Sequence, residues 1–327
     1  MLVFNSLDEI NNIEETAVAL GSFDGVHLGH QELIRRTVDA AKKMGLKSAV
    51  FTFSNHPKNV IVGKDAVKNI LYKREKEEII ASLGIDYLFD IPFTKDIMTL
   101  PKERYIKELL VDTLRAKLIA CGFNHRFGYK AEGDIKAIEE YGKEFGFDTI
   151  VMEPFKVNGN VVSSTLIRTQ IASGRVDRCP NYMGRYYAIN GEVVVGNRLG
   201  RTIGFPTSNL MIDFSMVTPP NGVYVTYCTY NGKRYPSVTN VGVKPTVKRQ
   251  SSEGSEENDS DYIRIKNVET HIFDFDSELY GKTITVEFLR KLRDEVKFDN
   301  MKDLSEQIVR DCREARKYHE EKYKNMG

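Results

Sequence analysis

Two histidines near the amino terminus are spaced so that both could donate hydrogen bonds to a phosphate group. His27 and His30 are three residues apart in the segment 16–30, which reads T-A-V-A-L-G-S-F-D-G-V-H-L-G-H. The segment joins an apolar, strand-like run to a helical pattern, and residues three apart share one face of a helix. Because the start of a helix offers unpaired N–H groups and a positive dipole end, this spacing predicts a phosphate site.

The same segment carries glycines at which a ligand could come close to the backbone, because glycine has no Cβ. They are Gly21, Gly25 and Gly29. A glycine-rich turn also occurs in ordinary connections between a strand and a helix. The chain has only six histidines, however, and two of them fall at this turn. The combination favours phosphate binding.

The string G-S-F-D-G-V-H-L-G-H resembles the H-x-G-H signature of the nucleotidyltransferase superfamily, in the form found in FMN adenylyltransferases. The resemblance implies that His27 and His30 are catalytic and that neighbouring residues bind ATP. These implied ATP-binding residues are Gly21, Phe23, Asp24, Gly25 and Gly29. Adenylyl transfer depends on positioning and charge stabilisation and needs no covalent catalyst.

Strand-like and helical patterns alternate up to about residue 152, which predicts an α/β domain with a parallel sheet covered on both faces. The predicted strands are 17–20, 48–53, 87–91, 118–121 and 149–152, and the predicted helices are 31–44, 74–83, 102–114 and 134–145. Ligands of such sheets bind at the carboxyl ends of the strands. The chain lacks a Walker A lysine motif, and its glycine pattern differs from the G-x-G-x-x-G of dehydrogenases.

Two polar segments directly follow predicted strands. They are 55–57, N-H-P, and 122–128, G-F-N-H-R-F-G. They resemble the P-H-P and G-x-D-F-R-F-G loops of FMN adenylyltransferases, although the first begins with Asn and the second has Asn-His where Asp-Phe is common. The resemblance implies flavin binding by Asn55, His56, Pro57, Asn124 and Arg126.

The segment 162–168, V-S-S-T-L-I-R, follows a hairpin that is predicted at Asn158-Gly159. It begins a predicted helix that ends near Gly174. Serine as an N-cap and arginine as a surface cation would explain it as well as an anion site would. The string resembles the second nucleotidyltransferase motif. That resemblance implies contacts to the triphosphate of ATP by Ser163, Ser164, Thr165 and Arg168.

From about residue 184 the helical patterns give way to short β-rich runs and turns. Asn-Gly pairs at 190–191 and 231–232 predict two hairpins. About six strands are available, and an antiparallel barrel would remove exposed edges. A final helix at about 304–323 has an apolar face that would pack against this barrel. This face is formed by Leu304, Ile308, Cys312, Ala315 and Tyr318.

The segment 198–209, R-L-G-R-T-I-G-F-P-T-S-N, combines two arginines, two glycines and a Pro-Thr-x-Asn end. In an extended chain Thr207 and Asn209 face the same way, and two oxygen ligands suit Mg²⁺. A basic loop followed by an edge strand is the alternative. The string resembles the riboflavin kinase signature, which implies Mg²⁺ binding by this Thr and Asn. It further implies ATP binding by Arg198, Gly200, Arg201 and Gly204.

The segment 268–275, V-E-T-H-I-F-D-F, is similar to the V-E-x-H-x-x-D-F of riboflavin kinases. The resemblance implies that Glu269 is the catalytic base that accepts the proton of the riboflavin 5′-hydroxyl. An acid that faces inward on a strand of a small barrel is costly unless it has a function or a partner. An inward-facing Glu269 would therefore support the same role.

The amino-acid composition limits the kinds of binding partner and the cellular compartment that we expect for this protein. The chain has 47 Lys+Arg, 46 Asp+Glu and a net charge of +1, which gives no basic footprint for nucleic acid. Four scattered cysteines indicate reduced thiols, without a zinc or disulfide pattern. Neither a signal-peptide pattern nor a membrane-length apolar run is present. We expect a cytoplasmic protein with small-molecule ligands and no membrane partner, as a monomer or weak homo-oligomer.

Both resemblances occur in the order found in the bifunctional riboflavin kinase/FMN adenylyltransferases of bacteria. They imply a Rossmann-like nucleotidyltransferase domain at 1–182 and a riboflavin kinase domain at 183–327, the latter a six-stranded antiparallel barrel with a C-terminal helix. The implied reactions are riboflavin to FMN and FMN to FAD, each with ATP and Mg²⁺. Alternatives are a riboflavin kinase with a degraded adenylyltransferase site and a non-catalytic flavin-binding protein.

Residues 250–261, Q-S-S-E-G-S-E-E-N-D-S-D, match no family pattern and contain no apolar side chain. Such a composition predicts a disordered surface insertion. We expect deletion of Gln250 to Asp261 to change the melting temperature and both reaction rates little, because the segment has almost no core contact to lose. Thermal unfolding and both rates of the deletion variant test this, and a large fall in melting temperature would show that the insertion is packed.

Overall fold

The computed structural model describes residues 1–63, 66–195, 204–212, 215–248 and 262–324. The chain divides into two units, Met1–Ile167 and Arg168–Gly327. The first unit contains a parallel sheet and the second a closed barrel. Within the described ranges, no helix combines the length and the hydrophobicity required to span a membrane.

Six strands form the sheet of the first unit. They are β1 (Leu2–Phe4), β2 (Thr16–Leu20), β3 (Lys47–Phe53), β4 (Tyr87–Ile91), β5 (Ala116–Gly122) and β6 (Asp148–Met152). All pairings are parallel, in the order β1-β4-β3-β2-β5-β6. The parallel sheet predicted from the alternating patterns is confirmed. Strand β1 at the edge was not predicted, because three residues are too few to show a period.

Helices follow the strands of this unit. They are α1 (Leu28–Met44), α2 (Pro57–Ile61), α3 (Lys73–Ser82), α4 (Lys95–Thr99), α5 (Lys102–Arg104), the π-helix Tyr105–Thr113 and α6 (Ile135–Phe145), with 3₁₀ turns at Leu7–Glu9 and Tyr129–Ala131. The predicted helix at 102–114 is thus mostly a π-helix. A short hairpin of β7 (Lys156–Val157) and β8 (Asn160–Val161) turns at Asn158-Gly159, as predicted.

Apolar side chains cover both faces of the sheet. On β2, Val18 and Leu20 pack with residues of the π-helix and α6. The alternate residues Ala17 and Ala19 pack with α1 and α3. Because successive residues of a strand face opposite ways, a strand buried on both faces reads as a continuous apolar run. The loops at the carboxyl edge are left to hold polar groups.

The second unit is a closed six-stranded antiparallel barrel with helices. Its strands are β9 (Tyr187–Val194), β10 (Ser208–Met211), β11 (Gly222–Tyr230), β12 (Lys233–Lys248), β13 (Tyr262–Ile272) and β14 (Thr283–Arg293). The barrel order is β10-β13-β12-β11-β14-β9. The helices are α7 (Ser164–Ala172), which begins before the boundary between the units, α8 (Cys179–Met183) and α9 (Met301–Lys324), with a 3₁₀ turn at Val176–Arg178. The predicted barrel and C-terminal helix are confirmed.

One of the two predicted hairpins of the barrel is wrong. Strand β9 continues through Asn190 and Gly191, which pair with Thr285 and Ile284 of β14. Closure of the barrel therefore requires an unbroken strand at this Asn-Gly pair, and tertiary pairing overrides the local turn preference. The second Asn-Gly pair, 231–232, does form the hairpin between β11 and β12, with φ of 49° and 73°.

The apolar face of α9 lies against one side of the barrel wall. Cys312 and Ala315 of α9 share a hydrophobic cluster with six barrel residues, and Ile308 and Tyr318 pack at its margin. The six are Val223, Val225, Tyr227, Val238, Phe273 and Leu289. The helix face predicted from periodicity is thus the one that packs.

Candidate active sites

The two histidines lie where β2 leads into α1, at the carboxyl edge of the sheet. His27 is the N-cap of α1, and its Nδ1 accepts a hydrogen bond from the backbone N–H of His30 at 3.1 Å. The two imidazole rings stack with their centroids 3.5 Å apart. Because Nδ1 of His27 is an acceptor, the proton of its neutral ring lies on Nε2, which is then a donor.

The backbone of the loop between β2 and α1 is strained. Phe23, Gly25 and Val26 have positive φ angles of 46°, 81° and 31°. A non-glycine residue in this region costs free energy and persists only where packing requires it. Phe23 and Val26 are 0% exposed, so their burial holds the loop in shape. A Cβ on residue 25 would also lie 3.0 Å from Cδ1 of Ile70.

The buried carboxylate of Asp24 is engaged with another part of the chain. Its Oδ1 accepts hydrogen bonds from the backbone N–H groups of Ile70 at 2.9 Å and Leu71 at 3.4 Å. The backbone carbonyl of Asp24 accepts a hydrogen bond from Oγ of Ser164 at 2.8 Å. The first motif is therefore tied both to the segment before α3 and to the second motif, 140 residues away.

The remaining residues of the second motif have distinct positions. Oγ of Ser163 accepts a hydrogen bond from the backbone N–H of Leu166 at 3.2 Å, which caps the start of α7. Thr165 is exposed. Arg168 is the first residue of the second unit. The sequence is consistent with either a serine N-cap or an anion site at this position. The N-cap is present, and an N-cap serine can also lie beside a bound anion.

The segment 54–57 follows β3 and is fastened to the end of β4. Nδ2 of Asn55 donates to the carbonyl of Phe93 at 3.2 Å, and Oδ1 of Asn55 accepts from the N–H of Phe93 at 2.7 Å. His56 caps α2, with Nδ1 accepting from the N–H of Lys58 at 3.2 Å. Pro57 occupies the first position of α2. The amide of Asn55 therefore orders this segment.

The loop after β5 contains the departure from the family pattern. Asn124 is exposed, and Arg126 pairs with Asp134 at 3.3 Å. The ring of His125 lies 6.0 Å from that of Phe127, nearly parallel to it. Burial lowers the pKa of His125 to about 4, so the ring is neutral at pH 7. His125 thus packs as an aromatic ring at the position where phenylalanine is common.

Glu269 lies in a row of polar side chains that crosses three strands of the barrel. It pairs in register with Asn209 on β10 and with Asn240 on β12. Residues directly opposite in an antiparallel pair have side chains on the same face. Nδ2 of Asn267 donates to Oε1 of Glu269 at 2.6 Å and to Oδ1 of Asn209 at 3.1 Å. One amide therefore links the carboxylate to Asn209.

Glu269 does not face the inside of the barrel, contrary to the orientation that we considered from the sequence. The neighbouring Thr270 is 1% exposed and is hydrogen-bonded to Thr239 at 2.9 Å. Because successive strand residues alternate, Glu269 is on the opposite face, where α9 packs. The acid thus borders a cavity outside the barrel.

This cavity lies between the outer face of the barrel and the segment that includes α9, and we call it the barrel cavity. It has a volume of about 240 Å³. The barrel contributes Thr207, Val223, Val238, Asn240, Glu269 and His271, and the segment from the end of β14 through α9 contributes Arg293, Glu295, Val296, Phe298, Leu304, Ile308, Asp311 and Cys312, while Phe205 lies between. Eight of these fifteen residues are apolar, and the cavity is also lined by three carboxylates, those of Glu269, Glu295 and Asp311. Such a pocket suits an apolar ring system that carries a hydroxyl group.

Part of the segment 198–204, which is predicted to bind ATP, lies outside the described residues. Arg198, Gly200 and Arg201 belong to the stretch 196–203, and the insertion 250–261 belongs to the stretch 249–261, neither of which the structure describes. Gly204 is described and has a φ of 81°, which favours glycine.

Two protein-family models match this chain. The first, described as FAD synthetase, matches residues 9–166, and the second, described as riboflavin kinase, matches residues 183–319. The bifunctional riboflavin kinase/FMN adenylyltransferase of Escherichia coli K12 is 34% identical over 93% of both chains. That of Haemophilus influenzae is 31% identical over 97% of this chain and 99% of its own. The chain belongs to the bifunctional riboflavin kinase/FMN adenylyltransferase family.

This bifunctional enzyme has a FAD synthetase domain followed by a riboflavin kinase domain. The Bacillus subtilis member is 34% identical over 93% of this chain and 92% of its own. A crystal structure from Streptococcus pneumoniae, described as a macrolide-efflux protein, has a TM-score of 0.83 and 29% identity, and covers 96% of this chain and 98% of that one.

In this family member, sequence reasoning missed the residues that close the barrel cavity from the side of α9. Leu304, Ile308 and Cys312 were predicted only as the apolar face of a packing helix. Arg293 at the end of β14 and Asp311 on α9 were not singled out, although Nη2 of the arginine and Oδ2 of the carboxylate are 2.7 Å apart. Helical periodicity shows which face is apolar but not whether it borders a cavity.

Proposed function

We propose that the chain phosphorylates riboflavin to FMN at Glu269 in the barrel and adenylylates FMN to FAD at His27 and His30 in the parallel-sheet unit, with ATP as co-substrate of both reactions. The observation that most supports this is that His27 and His30 lie in the first unit and Glu269 lies in the second. The two histidines fall within the match of the FAD synthetase model, and Glu269 falls within the match of the riboflavin kinase model.

In the adenylylation step a phosphate oxygen of FMN attacks the α-phosphorus of ATP, and pyrophosphate leaves with the electron pair of the broken P–O bond. The attacking group is already an anion, so the protein must position it and stabilise charge. His27 offers its Nε2–H at the start of α1, where the helix dipole also favours negative charge. His30 and the second motif complete the proposed phosphate site.

Four further residues are proposed to bind ATP on the basis of the family resemblance alone. They are Gly21, Gly29, Thr165 and Arg168. Asp24 contributes by holding the loop, because its carboxylate is bonded to 70–71. The flavin is proposed to bind along 54–57 and 122–128 at the same edge of the sheet. The aromatic packing of His125 supports a working site over a degraded one.

In the kinase step the 5′-hydroxyl oxygen of riboflavin attacks the γ-phosphorus of ATP, ADP leaves, and Glu269 accepts the hydroxyl proton. Asn267 donates to Oε1 of Glu269 and thereby fixes the orientation of the carboxylate. The flavin ring is proposed to enter the barrel cavity, whose apolar wall lies beside this acid. Water is excluded from the ring by Phe298, Leu304 and Ile308.

The donor set near Glu269 fits Mg²⁺. Thr207 lines the same cavity as Glu269, and Asn209 is 4% exposed and linked to Glu269 through Asn267. Hydroxyl, amide and carboxylate oxygens are the ligands that Mg²⁺ prefers. Among the described residues no group of three His, Cys, Asp or Glu side chains could hold a metal. Thr207 and Asn209 would hold it together with phosphates of the nucleotide, whose charge it would neutralise.

The domain boundary, assembly and compartment are part of the same proposal. We place the boundary between the two domains at 182/183, and the start of the riboflavin kinase match at residue 183 supports it. The division into compact units falls earlier, at 167/168. The four cysteines are buried and free, which suits a cytoplasmic protein. We propose small-molecule partners only, without nucleic acid, and a monomer or weak homo-oligomer.

Incubation with riboflavin and Mg-ATP tests both activities at once, with FMN, FAD, ADP and pyrophosphate measured separately. We expect ADP to rise with total flavin phosphorylation and pyrophosphate to rise with FAD. Formation of FMN without FAD would support a degraded first site. Binding of flavin without any of the four products would overturn the proposal.

Ile308→Trp is expected to raise the KM for riboflavin by about 10-fold or more, because an indole would fill the barrel cavity and contacts of a single methylene are already worth about 1–3 kcal/mol. Conversion of supplied FMN to FAD should not change. Val309→Trp is the matched control, since Val309 is the next residue of α9 and is 40% exposed. A parental KM for riboflavin in Ile308→Trp would show that the flavin binds elsewhere.

A further inference from the structure

A buried ion pair lies beneath the proposed flavin segment of the first unit. Lys76 of α3 is 7% exposed and Asp90 of β4 is 0% exposed. Nζ of Lys76 donates to Oδ1 of Asp90 at 2.7 Å. Lys73, one turn earlier, has its Nζ 3.7 Å from Oδ2 of Asp90. These three residues take no part in either proposed reaction.

Lys76 makes a second hydrogen bond that reaches the end of β3. Its Nζ donates to the carbonyl of Phe53, the last residue of that strand, at 3.2 Å. The next residue, Ser54, donates its N–H to the carbonyl of Ile91 at 3.0 Å. Beyond it, Asn55 is bonded to Phe93 through both atoms of its amide. The chain that enters the flavin segment is thus fastened at three successive residues.

The same helix is connected to the histidine loop. The segment before α3 donates the backbone N–H groups of Ile70 and Leu71 to the carboxylate of Asp24. Six residues after Ile70, Lys76 reaches the end of β3. The segment before α3 is therefore bonded to the loop proposed for ATP, and α3 itself is bonded to the strand end that leads into the segment proposed for FMN.

A buried ion pair is a weak source of stability, because removing two charges from water costs about as much as their attraction returns. An apolar pair of similar size would pack here at least as well. It would, however, leave the carbonyl of Phe53 without its ammonium donor, and the loss of this hydrogen bond would free the end of β3. A lysine anchored by a buried acid instead bonds to this strand end.

We propose that Lys76 and Asp90 are positioning residues that hold the segment 54–57 in the place required for FMN in the adenylylation reaction. The inference rests on the proposed function of the first unit. Asp90 holds the ammonium of Lys76, and this ammonium holds the end of β3. The flavin segment begins at the next residue, so its position depends on the position of that strand end.

The test is the double variant Lys76→Met/Asp90→Val in the full chain, which removes both charges without leaving one unpaired. We expect the double variant to fold. Its kcat/KM for FMN should fall roughly 10- to 100-fold, because displacements of about 1 Å have such effects. The fall should come mainly from a higher KM for FMN. Riboflavin phosphorylation should stay near the parental rate. Amide hydrogen exchange at 54–59 should become faster.

Ile80→Val is the matched control, because Ile80 lies in the same helix and is 0% exposed but is an uncharged side chain outside the ion pair. A parental KM for FMN in the double variant, with unchanged exchange at 54–59, would overturn the proposal. An equal rise of this KM in Ile80→Val would overturn it as well, since loose packing would then explain both. If the double variant does not fold, Asp90→Asn, which keeps an oxygen for Lys76, is expected to show a smaller rise of the same KM, and a parental value there would overturn the proposal.

If the parental chain makes no FAD from FMN, the proposed function fails, whereas the exchange at 54–59 still measures whether the pair holds this segment.

Discussion

His27→Ala is expected to slow the formation of FAD from supplied FMN by roughly 10²- to 10³-fold, equivalent to about 3 to 4 kcal/mol, because it removes a preorganised donor. His30→Ala should have a similar effect, since its ring stacks on that of His27 at 3.5 Å. Riboflavin phosphorylation should remain near the parental rate, because neither histidine belongs to the barrel unit. Release of pyrophosphate with FMN and of ADP with riboflavin measures the two rates.

The alanine variant also loses the N-cap of α1, which is worth about 0.5–2 kcal/mol of stability. His27→Asn separates the two effects, because its Oδ1 can still accept from the N–H of His30 but the variant has no imidazole Nε2 donor. We expect His27→Asn to have a melting temperature near that of the parent and a rate of FAD formation as low as that of the alanine variant. Normal FAD formation by the asparagine variant would show that His27 serves only as a helix cap.

Glu269→Gln is expected to lower riboflavin phosphorylation by about 10²- to 10⁴-fold, because the amide keeps the shape of the side chain but cannot accept a proton. Asn267 can still donate to the amide oxygen, so the local hydrogen bonding should survive. The affinity for riboflavin should change little. Conversion of supplied FMN to FAD should be unaffected, because it depends on the other domain.

Glu287→Gln is a suitable control for this variant. Glu287 is also a strand glutamate of the barrel, but it pairs with Arg234 at 2.6 Å and does not line the cavity. We expect this control to phosphorylate riboflavin at nearly the parental rate. Riboflavin phosphorylation at the parental rate in Glu269→Gln would show that Glu269 is only a structural residue of the strand. Loss of both reactions together with a lower melting temperature would instead indicate unfolding.

Local patterns were sufficient for most of the fold. The run 48–53 reads as a buried strand because parallel strands are apolar on both faces. The turn at 231–232 could be predicted because Asn and Gly tolerate the left-handed backbone that a two-residue hairpin needs. The Asn-Gly pair at 190–191 gave a wrong prediction of a hairpin, because its pairing with β14 outweighs the local preference for a turn. A local signal fails where a long-range contact of greater energy opposes it.

The sequence by itself determined the order of the two domains, the residue types at each site and the position of His27 and His30 at a helix start. Only the tertiary structure decided that the carboxylate of Asp24 bonds to 70–71 and that Ser164 meets Asp24. It alone decided that Glu269 faces α9 and borders a cavity. Strand alternation states that neighbouring residues face opposite ways, but which face is inside depends on how distant strands close into a barrel.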